Sequence, residues 1–139
     1  MSIEMIRNPL VETVDSSIFV DATPEITNIH YDLFLLRITL EFKETDNPVY
    51  LTFDGIRGFR VLDEGDLLEF WNPETRTKGW LWQVRKGGWF DLECIRSGFI
   101  SGITGGYKEF LILGVNECIS VISFDNPIIF TPQSLNVLT

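Results

Sequence analysis

Histidine occurs once in this chain, as His30, and cysteine twice, as Cys94 and Cys118. One imidazole cannot build a multi-histidine metal centre. Two cysteines 24 positions apart lack the CxxC spacing of a structural zinc site. No GxSxG elbow is present, and a nucleophile–base pair would have to be built on His30 and a distant partner. No cofactor or metal is therefore expected, and the sequence is read as that of a protein without catalytic activity. No stretch approaches the roughly 20 apolar residues of a membrane span; the longest apolar region, Leu33 to Phe42, is interrupted by Arg37, Thr39 and Glu41. The first residues, Met1 to Pro9, show no basic start followed by an apolar run, so a cytoplasmic protein with no membrane partner is expected, its thiols reduced. Bases are also scarce. Eleven Lys and Arg stand against twenty Asp and Glu, a net charge of −9, which repels nucleic acid and attracts cationic partners.

What is present is apolar and aromatic. The 139 residues are 45% hydrophobic, with eleven Phe and four Trp, enough for one domain spanning 1–139 with a filled core. The stretch from Ile29 to Lys43 reads as one long strand. Phe34, Leu36, Ile38, Leu40 and Phe42 fall on one face, and Arg37, Thr39, Glu41 and Lys43 on the other. That period of two is the mark of a half-buried antiparallel strand. After a turn at Asp46–Pro48, Val49, Leu51 and Phe53 continue the pattern as a hairpin partner. Trp80 to Arg85 and Trp89 to Ile95 read as two more strands joined by a tight turn at Gly87-Gly88, and Tyr107 to Val115, Cys118 to Phe124 and Pro127 to Phe130 as the last three. Ser16 to Val20 fits a short strand. Residues 66–71 fit either a strand or one or two helical turns capped by Asp63 or Asp66. The glycine-rich Gly102–Gly106 leads into a strand, so it reads as a hairpin connection rather than a phosphate cradle. The expected fold is mostly β: a curved antiparallel sheet, a sandwich or a partly closed barrel, with at most one or two short helices.

Two clusters are candidates for function. Asp63, Glu64, Asp66 and Glu69 lie within seven residues, with Glu74 close behind. They suit docking of Lys or Arg from a partner; as paired carboxylates they also admit acid–base hydrolysis, although nothing marks one of them for a raised pKa. Trp71, Trp80, Trp82 and Trp89 fall within nineteen residues. Alternation prevents all four from filling one core layer, so some are expected at an interface or a cavity mouth. A ligand pocket against Trp80, Trp82 and Phe90 is the alternative.

The charge is unevenly spread: residues 1–74 hold fifteen acids and five bases, whereas 75–107 hold two acids and five bases. The stretch from Phe53 to Leu67, with Gly88-Trp89-Phe90-Asp91-Leu92-Glu93, resembles the immunity proteins of bacterial contact-dependent growth inhibition systems, over less than a third of the chain. The resemblance implies a cytosolic protein that binds one cognate toxin domain and blocks it. The acidic balance suits that role, since many such toxins are basic nucleases.

Overall fold

The computed structural model describes residues 9–14, 18–73 and 76–131. The described residues form nine strands: β1 (Leu10–Thr13), β2 (Glu25–Tyr31), β3 (Leu35–Glu41), β4 (Val49–Asp54), β5 (Ile56–Asp63), β6 (Leu81–Lys86), β7 (Lys108–Leu113), β8 (Glu117–Ser123) and β9 (Ile128–Phe130). They form two antiparallel sheets, ordered β1-β6-β7-β8-β5 and β2-β3-β4-β9. Each sheet ends on two edge strands, so neither closes into a barrel. Register aligns the apolar faces: Leu36, Ile38 and Leu40 of β3 stand opposite Phe53, Leu51 and Val49 of β4, and all six are fully buried. The sheets pack on each other through these faces. Phe53 meets Phe110 of β7 at 5.6 Å between ring centroids, and Phe42 meets Trp80 at 5.4 Å.

The five-stranded sheet is buried on its second face as well, and this is where irregular structure gathers. Two 3-10 helices, Glu64–Asp66 and Leu68–Trp71, follow β5. Two short α-helices, α1 (Trp89–Ile95) and α2 (Ser101–Thr104), lie between β6 and β7. Leu67 and Phe70 are buried there, and Trp71 packs edge-on to Trp82 of β6 at 6.0 Å.

Several elements differ from the sequence reading. The run from Ile29 to Lys43 is two strands, not one. The chain reverses at Asp32, whose Oδ1 accepts from the amides of Phe34 (2.9 Å) and Leu35 (2.8 Å). Phe34, expected on the buried face, is 81% exposed at the hairpin tip. Trp89–Ile95 is a helix, not a strand, so Gly87-Gly88 joins a strand to a helix. Besides local bonds from the Gly87 amide to Asp91 and from the Trp89 indole to Glu93, it is held from elsewhere in the chain: Glu109 of β7 accepts from the first two amides of α1. Gly102–Gly106 is not a hairpin loop; it holds the end of α2 and a glycine pair before β7. Within the open choice at 66–71, the helical reading is the observed one. Of the proposed strand at 16–20, residues 16 and 17 lie outside the described residues, and 18–20 are bend and turn. β1 and β5 were not foreseen as strands. Cys94 is a half-buried thiol on α1 and Cys118 a buried one on β8, and the two are not bonded.

Candidate functional site

The segment from Asp63 to Trp71 forms a ridge on the covered face of the five-stranded sheet. Asp63 ends β5 and turns its Oδ2 onto the amide of Gly65 at 2.9 Å, capping the first 3-10 helix. Trp71 fastens the other end, donating from Nε1 to the Glu64 carbonyl at 2.8 Å. The Arg76 guanidinium lies 5.5 Å from the centre of the Trp71 ring. The ridge is therefore held by its own polar contacts, which leaves the carboxylates of Glu64 and Asp66 in solvent. Among the described residues the ion pairs are Arg85–Glu12 and Arg96–Glu93; no ridge carboxylate takes part in one.

A groove of about 620 Å³ runs along one side of the ridge. Glu64, Gly65, Leu68 and Trp71 form one wall, and Leu113, Gly114 and Val115 face them. Leu68 is 72% and Val115 49% exposed, so the groove offers apolar surface between the Glu64 carboxylate and the Arg76 guanidinium, which also line it. A crevice of about 120 Å³ lies on the other side, between Asp66, Leu67, Glu69 and Phe70 of the ridge and Gly87, Gly88, Trp89 and Leu92. Its wall on β5 carries Arg60 and Leu62. Arg60 lies 5.1 Å over the Trp89 ring, and its Nε donates to Ser120 Oγ at 3.4 Å. Burial lowers the Arg60 pKa, while Glu109, Glu69 and Glu93 oppose that shift with their charge.

Glu109 lies behind this crevice and is 2% exposed. Its Oε1 accepts from the Phe90 amide at 2.7 Å and its Oε2 from the Trp89 amide at 3.1 Å. Burial drives its pKa up to about 7, against the opposing pull of those amides and of Arg60. A half-buried arginine and a buried carboxylate thus support the helical cover from below. Glu93, on the cover itself, is held below the usual carboxylate range by hydrogen bonds from Arg96 and Trp89.

The structure brings Glu64 and Trp71 to the groove and Asp66, Glu69 and Trp89 to the crevice; Asp63 lines neither and instead caps the turn at Gly65. Glu74 lies outside the described residues. Trp80 and Trp82 do not join them. Both have no exposed surface, and their indole N–H groups donate to the Ile18 and Lys78 carbonyls at 2.6 and 2.8 Å. Burial on both faces of this sheet makes them core residues, so they cannot meet a partner, and they line neither the groove nor the crevice. Arg60 and Glu109 were missed. The one signal for Glu109 was a single carboxylate leading the apolar run Phe110–Leu113. Among the described residues no group of three or more His, Cys, Asp or Glu side chains is placed to hold a metal ion, and no helix is long and apolar enough to cross a membrane. No family model matches the chain, and neither a curated protein nor a solved structure matches it.

Proposed function

We propose that this chain is a cytoplasmic binding protein that engages a basic protein domain through the ridge at 63–71, in the manner of an immunity protein that blocks its cognate toxin. The observation that carries this reading is the groove beside the ridge, where exposed Leu68 and Val115 adjoin the carboxylate of Glu64, which makes no ion pair among the described residues. Apolar surface bordered by charged side chains is the composition of a docking site. The apolar centre supplies affinity, and the charges raise the association rate and select partners of opposite sign. Leu68 and the exposed edge of Trp71 serve as anchors in this reading, and Glu64 and Asp66 meet Lys or Arg of the partner. Asp63 acts one step away, by shaping the turn that presents Glu64.

The test is to sequence the neighbouring genes for a basic toxin domain and to titrate the purified chain against that domain; the lack of any such gene counts against the proposal. The expected result is a one-to-one complex that inhibits the toxin and is weakened by Leu68→Ala. No complex at micromolar concentrations, or a complex indifferent to both Leu68→Ala and Glu64→Lys, contradicts the proposal.

A further inference from the structure

The excursion between β6 and β7 is bounded by a glycine pair at each end, Gly87-Gly88 and Gly105-Gly106. Gly87, Gly105 and Gly106 have φ of +75°, +77° and +83°, a backbone region that glycine enters freely and other residues resist. Between these joints neither α1 nor α2 contains a buried residue. Leu92, Ile95, Ile100 and Ile103 are exposed. The excursion is held together internally, by the Phe90 and Phe99 rings at 5.7 Å and by the close approach of Gly102 to Cys94. Its attachment to the sheet is concentrated at its first turn, where Trp89 rests over Gly58 and Arg60 of β5. There Glu109 takes the amides of Trp89 and Phe90. The fit is close: a Cβ on Gly88 would stand 2.6 Å from Glu109 Oε1.

We propose that residues 87–106 form a hinged flap, seated on the sheet through Glu109 and released when Glu109 ionises. An ionised carboxylate buried under the flap forgoes hydration, and lifting α1 restores it. Two amides and the neighbouring Arg60 of β5 offset part of that penalty. Asp91 of α1 adds repulsive negative charge, Glu93 of α1 and Glu69 of the ridge act on the adjacent Arg60, and the cross-strand neighbours on β6 and β8, Val84 and Ile122, are apolar. Burial outweighs the favourable contacts, since Glu109 titrates at about 7 when seated rather than at 4.5. The seated flap thus binds the proton more tightly than the open one, and rising pH favours opening. Release uncovers the Trp89 ring, Arg60 and the crevice beside the ridge.

Amide hydrogen exchange across α1, measured from pH 5 to 8.5 and corrected for intrinsic rates, tests this directly. In the wild-type protein the α1 amides should exchange well ahead of those of β3. Their opening equilibrium should rise by about tenfold per pH unit between about pH 5 and 6.5 and level off above about pH 7, for a total near 300-fold across the titration. In Glu109→Gln, which keeps the shape and cannot ionise, the profile should be flat. A flat wild-type profile, α1 amides that exchange only together with β3, or a slope that persists in Glu109→Gln overturns the proposal. If Glu109→Gln does not fold, the wild-type slope and plateau decide alone.

Discussion

Glu109 shows how one position can oppose its surroundings. Its carboxyl titrates at about 7 in the folded chain and near 4.5 when hydrated. A raised carboxyl pKa means that the folded state holds the proton more tightly than the unfolded one. Its contribution is therefore fully present below about pH 4.5 and is lost as pH climbs to 7, at a cost of about 3 kcal/mol. Urea unfolding of wild type and Glu109→Gln at pH 5 and 8 checks the sign. The wild type should lose stability relative to the variant at the higher pH, and an opposite trend contradicts the burial argument. Asp63 is a simpler case. Its Oδ2 caps the turn at Gly65, so Asp63→Ala should cost about 0.5–2 kcal/mol in the same assay. Leu33, at φ +78°, occupies a left-handed conformation that strains a side chain with a Cβ, and Leu33→Gly should stabilise the fold by up to about 1 kcal/mol.

At the scale of elements, legibility followed burial. β3, β4, β7 and β8 were readable because each has a continuous apolar face, and an apolar side chain at every second position matches the pleat of a strand and no face of a helix. α1 was not. Over seven residues Trp89, Phe90, Leu92, Cys94 and Ile95 satisfy either period. The choice is made by Glu109, nineteen and twenty positions away from the amides it accepts, which no local pattern contains. β5 was hidden by Arg57, Gly58 and Arg60, which break its apolar alternation; its pairing with β8 decides its form. The acidic ridge was visible as composition, but the groove beside it depends on Gly114 and Val115 from the turn between β7 and β8, and no spacing foretold that meeting. The tryptophans make the same point. Trp71 and Trp89 remain half-buried, whereas Trp80 and Trp82 lie within a sheet covered on both faces. Trp82→Ala should accordingly cost about 3–5 kcal/mol of fold stability, read as a lowered urea midpoint.

For the molecule as a whole, a two-sheet body carries an irregular outer layer, and the proposed binding surface lies on that layer. The net charge of −9 creates a long-range attraction for cations, and the ridge concentrates part of it beside apolar surface. The most direct measurement is stopped-flow association with the basic domain that the proposal requires as partner, for wild type and for the Glu64→Lys/Asp66→Lys variant, at low and at physiological salt. The Debye length falls from about 30 Å at 0.01 M to about 8 Å at 0.15 M. Charge reversal should slow association about tenfold or more at low salt, with a smaller difference at 0.15 M and unchanged thermal stability. Equal association rates for the two proteins at both salt concentrations would show that the ridge does not steer a partner, and would contradict the account.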